Sequence, residues 1–499
     1  MHMDLREFIK ILEDNGELLR VKEETHWQEE IGAVSRRLCD LESEGQPQPA
    51  LLFENITDYP GGTFFCNSLS SYRRYSLALG FPKDTTPLEL VRLVHERLRT
   101  PHPVKPVVVD KSAAPCKENI YTGDEVDLVK MFPTPHWHTH DGGRYLGTFH
   151  AMIQQDLEDP DWTNWGTYRM MIHDKNRMGA MMTPVQHSGM IYQKYKAAGK
   201  IMPVCVAMGG DIVNPIVSCA GFNEGVSEVD MAGALRGKPI ELVKAETCDL
   251  MVPADAEIIL EGYVDPNGEM LVEGPFGEFT GYYGGDPRPR EIFHVTCVTT
   301  RNNPILIGSQ EGPPLTDDNI CGSVICSALA RQVLLDVMKV PGAQEVFFHP
   351  FGASWGFCVV SCKRVQANLP QQCAHAIWSS KLANDSGRAG VFIVVEEDVD
   401  PSNIQMVLWS MVTRCDPGER IYIYKARGGV NPLWPNIPKY ARTIEQKAAG
   451  AILIDAGFPH DWYVAHPENV PAMCDWGGFS EGVRDRALQI LINNAKHGR

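Results

Sequence analysis

Between residues 104 and 317 the chain breaks into short β-rich runs: "PVVVD", "GTFHAMI", "GTYRMMIHD", "PVCVAMG", "IELVKAE", "AEIILEGYV" and "IFHVTCVTTRNNPILIG". Gly, Pro and Asn punctuate them. Several short strands joined by tight turns point to a barrel or a curled antiparallel sheet, which can hold a cofactor in its mouth. Two helices interrupt this region, one capped by Ser188, the other running from the cap Ser227 through "EVDMAGALR" to Gly237.

The flanking regions read differently. Residues 1–103 are expected to form a peripheral helical layer. In "DLREFIKILEDNGEL", Leu5, Phe8, Ile9 and Leu12 recur at helical spacing, Asp4 and Glu7 make a capping pair, and Gly16 stops the helix. A second helix is expected over 27–41, and a third in "TTPLELVRLVHERLR", with Thr86 as cap and Pro87 at its first position. Residues 318–440 carry alternating helix and strand patterns, an α/β domain of their own. Residues 441–499 form an extension whose last helix places Val483, Leu488, Leu491 and Ile492 on one side, as a helix docking on another subunit or domain would.

Composition narrows the partners. Sixty-three acidic against 46 basic residues leave a formal charge of -17, which repels nucleic acid and anionic membrane surfaces alike. No uninterrupted apolar run approaches the roughly 18–20 residues needed to span a bilayer. The charged N-terminus lacks a signal-peptide core, so a cytoplasmic protein is expected. Its 14 cysteines contain no C-x-x-C pair and read as reduced thiols.

In "EGPFGEFTG", Glu273 and Glu278 stand five apart on a segment that can be neither regular helix nor regular strand. A glycine-kinked turn could aim both inward to divide acid and base roles, as in a glycosidase; a hairpin with two solvated glutamates is the alternative. Arg169 lies among Trp165, Tyr168 and Met170, and if buried it needs an anion, either substrate or Glu273. His187 and Glu228 stand at helix entrances, where free N–H groups favour phosphate. With Asn164 they would make a mixed N/O site suited to manganese or magnesium; a glutamate serving only the helix dipole is the plainer alternative. His136, His138 and His140 in "PTPHWHTHDGG" read as a wet or substrate-facing loop rather than a three-histidine metal site.

The strings "TNWGTYRMMIHDKN", "TPVQH", "EGVSE", "LEGPFGEFTGYYGG", "TTRNNPIL", "VVEEDVDP" and "VLWSMVTRC" follow one another in an order that resembles the UbiD family of reversible decarboxylases. The branch acting on hydroxylated benzoic acids is closest in look. The resemblance implies an α+β fold: a split β-barrel flavin-binding domain, an α/β oligomerisation domain and a C-terminal helical extension. It implies prenylated flavin mononucleotide (prenylated FMN) as cofactor, supplied by a flavin prenyltransferase, with Mn2+ or Mg2+ and also K+ beside it. By position, Arg169, Glu273 and Glu278 match the family's catalytic set, and Asn164, His187 and Glu228 its divalent-ion ligands. Trp165, Thr167, Tyr168, Arg169, Gln186 and Lys381 join the cofactor contacts, Lys381 as a phosphate-contacting lysine. The implied reaction is loss of CO2 from a hydroxybenzoate-like or α,β-unsaturated acid through a covalent adduct with the flavin, with Glu278 as proton donor. A homo-oligomer, dimer or hexamer, is expected. Two alternatives stand beside this: a flavin-free hydrolase using the Glu273/Glu278 pair, and a non-catalytic subunit that carries the cofactor.

Overall fold

Antiparallel pairing organises the centre of the molecule. This computed structural model describes residues 3–99, 103–284, 286–384, 388–428, 435 and 449–495. Its central sheet runs in the order Arg177–Ala180, Arg288–Thr300, Ile258–Val264, Met202–Met208, Ala151–Gln155, Thr163–Gly166. Each neighbour is antiparallel to the next. Met270–Glu273 and Asn119–Thr122 pair in addition with the long strand Arg288–Thr300. The fold is mixed α and β as expected, and the sheet stays open, with no closed barrel among the described residues.

A bulge between Glu261 and Gly262 bends the sheet where Ile258–Val264 crosses Arg288–Thr300. Gly262 passes so near the His294 carbonyl that a Cβ there would lie 1.8 Å from the oxygen. The adjacent Glu261 is buried but compensated by Lys117 Nζ at 3.0 Å and by the Thr247 amide and hydroxyl at 2.8 and 3.0 Å. The helices Val213–Ser218, Glu228–Arg236 and His187–Ala197 pack against Thr163–Gly166, the strand that the site uses.

The N-terminal region is more than the helical layer expected of it. Leu18–Val21, Ala50–Phe53 and Thr63–Cys66 form a sheet with Ile305–Ile307, so these residues are stitched into the body of the protein. The strands are only four residues long or shorter, too brief to show a period in the sequence. The helix Leu5–Asp14 does bury Leu5, Phe8, Ile9 and Leu12 behind an Asp4/Glu7 capping box. The second helix is Glu30–Ser43 and the third Pro87–Arg99.

In the C-terminal half, Ala343–Phe348, Phe357–Cys362, Val391–Glu396, Ala449–Asp455 and Ile421–Gly428 form a five-stranded sheet in that order, its three central strands parallel. Because Ala449–Asp455 is inside this sheet, the α/β unit draws on residues beyond 440; the expected boundary at 440/441 itself lies outside the described residues. One helical stretch, Asp317–Val337, is long and apolar enough to cross a membrane by length and composition alone, yet 67% of its most apolar window is buried within the protein. Thr316 caps it and Asp317 accepts the Leu69 amide, so it packs as a core helix. All 14 cysteines are free thiols, most of them buried.

Replacing Gly262 by Ala forces a methyl into the His294 carbonyl. We expect a loss of about 1–3 kcal/mol in unfolding free energy, read as a lower denaturant midpoint at unchanged slope.

Candidate active site

The segment with the paired glutamates solves its geometric problem by reversing direction. Met270–Glu273 ends at Gly274, whose φ of +94° is open to glycine, and the chain returns through Phe276–Gly277 and a second turn at Gly281 (φ +84°) to pair with Tyr283–Gly284. Gly142 seats the first reversal: its amide donates to Pro275 O at 2.7 Å, and a Cβ on Gly142 would come within 2.3 Å of the Gly274 oxygen. Asp141 then accepts the Gly277 amide at 2.8 Å.

Both glutamates consequently point at one guanidinium. Arg169 donates through Nη2 to Glu273 Oε2 at 2.9 Å and through Nη1 to Glu278 Oε1 and to Gly284 O. All three side chains are buried, Glu273 at 1% exposure and Glu278 at 6%. Arg169 bridges both acids instead of being held by Glu273 alone. Glu273 has one further donor, the Tyr145 hydroxyl at 2.7 Å, and a second cation nearby, Arg290 Nε at 3.9 Å without a hydrogen bond. Glu278 has fewer, and burial raises its carboxyl above the ordinary range against the opposing pull of Arg169, with Glu273 adding to the rise. Glu273 therefore has two cations within ion-pair distance, Arg169 and Arg290, while Glu278 pairs with Arg169. Phe276 and Phe279, both buried, supply apolar walls, whereas the nearby Tyr282 is 62% exposed and does not.

A cavity of about 210 Å³ opens beside this triad. Glu278 and Arg169 face it from one end, Asn164, His187 and Glu228 also line it, and Glu273 stands behind Arg169 outside the lining. Trp165, Thr167, Tyr168, Gln186 and Lys381 line it too, so the residues singled out in the sequence converge on one place. Glu228 opens the helix Glu228–Arg236; its Oε2 accepts the Trp165 amide at 2.9 Å and its Oε1 lies 3.6 Å from His187 Nδ1. Burial raises the Glu228 carboxyl. The amide nitrogen of Asn164 donates to Gln154 Oε1 at 3.2 Å, which leaves its oxygen as the free function. His187 Nε2 is buried with no hydrogen-bond partner. An amide oxygen, an imidazole and a carboxylate suit a hard or borderline divalent ion.

One local expectation needs correction, and the histidine loop can be placed. Ser188 is not the helix cap. Gln186 N bonds back to Thr183 O, leaving Gln186 extended, so the helix starts at His187, and the Ser188 amide donates to the Tyr168 hydroxyl. The three histidines do not converge: His136 bonds to Asp141 O, His138 to the Asp141 carboxylate and Glu311 O, and His140 stacks on Tyr283. No cluster of three His, Cys, Asp or Glu fit for a metal exists among the described residues.

Sequence reasoning missed Glu311, Asp318, Trp355 and Arg388, which also line the cavity. A signal existed for the first two: "EGPPLTDDN" repeats the acid, glycine and proline texture of "EGPFGEFTG". Trp355 and Arg388 come from a different domain and carry no such mark.

Comparison with known proteins bears on this geometry. The N-terminal, Rift-related and C-terminal domains of 3-octaprenyl-4-hydroxybenzoate carboxy-lyase (UbiD) match residues 9–94, 107–314 and 320–456. A phenolic acid decarboxylase of Bacillus subtilis (strain 168) is 34% identical over 83% of this chain and 85% of its own. Among solved structures, vanillic acid decarboxylase of Sedimentibacter hydroxybenzoicus in its closed form superposes with a TM-score of 0.84 at 29% identity, covering 99% of each chain. The UbiD-class enzyme HmfF from Pelotomaculum thermopropionicum, solved with FMN, covers 95% of this chain and 98% of its own at 26% identity and a TM-score of 0.80. An evolved dimeric form of HmfF, solved with prFMN, covers 96% and 99% at 26% identity and a TM-score of 0.77. Three family domains in order and a shared fold over nearly the whole length lead to one conclusion: the chain belongs to the UbiD family of carboxy-lyases.

Proposed function

We propose that this chain is a reversible, non-oxidative decarboxylase of hydroxybenzoate-like aromatic acids, or of α,β-unsaturated acids, that works with prenylated FMN. The observation that carries the reading is Arg169 buried between Glu273 and Glu278 at the edge of a cavity that Asn164, His187 and Glu228 also line. The donor set fits the anchoring of a flavin phosphate through Mn2+ or Mg2+, because His187 Nε2 has no hydrogen-bond partner and Asn164 is tied to Gln154 through its nitrogen, the end that could not bind a cation. Lys381, together with the Gln186 entrance of the helix His187–Ala197, adds favourable partners for phosphate. Bound prenylated FMN supplies the electron sink that no ordinary side chain offers when a carbon–carbon bond to an sp2 carbon breaks.

The chain's own residues do the rest. Arg169 orients the substrate carboxylate through its planar fork, and Glu273, fixed by Tyr145, keeps that fork in place. Glu278, whose carboxyl burial raises, delivers a proton from its acid form to the carbon that CO2 vacates; in the carboxylating direction it takes that proton back. Phe276 and Phe279 exclude water from this transfer. The exposed Val483, Leu488, Leu491 and Ile492 of Glu481–Ala495 favour burial against another subunit, hence a homo-oligomer.

Glu278→Gln should lower decarboxylation and hydrogen–deuterium exchange at the vacated carbon by about 10²- to 10⁴-fold while leaving FMN binding intact. Since the acid form is the donor, kcat in the parent should fall as pH rises through the elevated pKa of Glu278. Equal exchange rates in parent and variant would remove the proposed donor. His187→Ala, Glu228→Ala or a chelator should each weaken FMN retention, measured by flavin absorbance after gel filtration; undiminished retention contradicts the ion bridge. Deleting residues 481–499 should lower the molar mass in sedimentation velocity, and an unchanged mass places the contact elsewhere.

A further inference from the structure

The cavity lining holds a cation that the proposed chemistry does not use. Arg388 is 8% exposed and lines the cavity, yet its Nε and Nη1 are buried without a hydrogen-bond partner. No ion pair joins it to an acid among the described residues. A guanidinium remains ionised wherever it sits, so this one lacks the compensation that a buried cation requires.

Its surroundings define what would complete it. Arg388 lies over the Trp355 ring at 4.8 Å, and Trp355 packs against Phe279, the neighbour of Glu278, with centroids 4.6 Å apart. One indole therefore separates Arg388 from the wall of the reacting end. Two acids line the same side, Asp318 and Glu311. Asp318 accepts the Ser354 hydroxyl at 2.9 Å, and burial lifts its carboxyl to about 6 despite Arg388 nearby. Glu311 accepts the Ser309 hydroxyl through Oε1 at 2.9 Å, while its Oε2 is buried and unpartnered; burial, with Asp318 close by, pushes it well above the ordinary range. Neither acid is a settled counter-ion for Arg388.

A strong donor set beside open carboxyl acceptors complements a group that both accepts and donates. A phenolic hydroxyl does so, whereas a hydrogen, methyl or halogen does not. We infer that Arg388, with Asp318 and Glu311, forms a second polar anchor that binds a hydroxyl on the ring of the aromatic acid and so selects hydroxylated substrates. The inference rests on the decarboxylase reading and deepens it. Arg169 would hold the carboxylate at one end and Arg388 the ring oxygen at the other, across apolar walls of Phe279 and Trp355. Arg388 is a specificity-determining residue in this scheme; the carbon–carbon bond breaks at the other end.

Binding of benzoate and 4-hydroxybenzoate to FMN-loaded wild type, R388A and R388K, by calorimetry, tests it. Wild type should prefer 4-hydroxybenzoate by about 10- to 100-fold, the range of a hydrogen bond to a charged group. R388A should bring the ratio close to one by weakening 4-hydroxybenzoate alone, and R388K should restore part of the preference. Affinity for FMN and thermal midpoint should stay at wild-type values. A wild-type ratio retained in R388A overturns the inference. So does weakened FMN binding with the ratio intact, which would assign Arg388 to the cofactor phosphate. If R388A does not fold, R388K decides: a full wild-type ratio there, with the non-ionisable R388Q also unchanged, sinks the anchor. Wild type that binds neither acid overturns the decarboxylase reading itself, while binding that depends on Arg169 but not Arg388 overturns only this inference.

Discussion

One guanidinium between two buried carboxylates sets the terms for everything else in this protein. Arg169, Glu273 and Glu278 are each almost withdrawn from water, and a buried charge is tolerated only when it is paired and hydrogen-bonded. The two acids are compensated unequally. Glu273 accepts from Tyr145 and has Arg290 as a second cation at 3.9 Å. Glu278 pairs with Arg169, and burial raises its carboxyl. Removing either partner of such a pair typically costs about 3–5 kcal/mol, which is why the surrounding backbone is held so closely.

That holding is done by small residues and by a neighbouring loop. Gly274 turns the chain, Gly142 lets another backbone press against the turn, and Asp141 takes the Gly277 amide. His138 packs on Gly277 so closely that a Cβ there would meet its ring at 2.5 Å. The loop with three histidines thus serves as a buttress for the glutamate segment: its residues bond to Asp141 and to the 309–311 segment and do not face one another.

What could be read from the sequence followed physical range. Local signals were sound: the Asp4/Glu7 capping box, the Ser227 entrance and Gly237 exit of Glu228–Arg236, and the turn at Gly274 were all visible in their own residues. The convergence of Asn164, His187 and Glu228 was not, since dispersed positions meet only through sheet pairing and helix packing; there the family likeness ordered what spacing could not. Strands of three or four residues in the N-terminal sheet escaped because they are too short for a period. The start of His187–Ala197 was misplaced by one residue because a backbone turn at Thr183, and no side-chain cap, determines it.

The division of labour across the cavity follows from the same layout. Glu273 ends a strand paired into the central sheet and Asn164 lies on another, whereas Tyr145 sits on the short strand Tyr145–Gly147 and Arg169 and Glu278 on irregular backbone beside short strands. Trp355, Lys381 and Arg388 come from the α/β unit, on the loops and short helix around its strands. Loops change at little cost to a fold, whereas a bonded sheet does not. Asn164 and Glu273 are pinned by strand pairing, while Trp355 and Arg388 stand where the chain tolerates substitution. The buried guanidinium of Arg388, without a hydrogen bond at Nε or Nη1, lies in that tolerant part of the lining, which suits the substrate-reading role inferred for it.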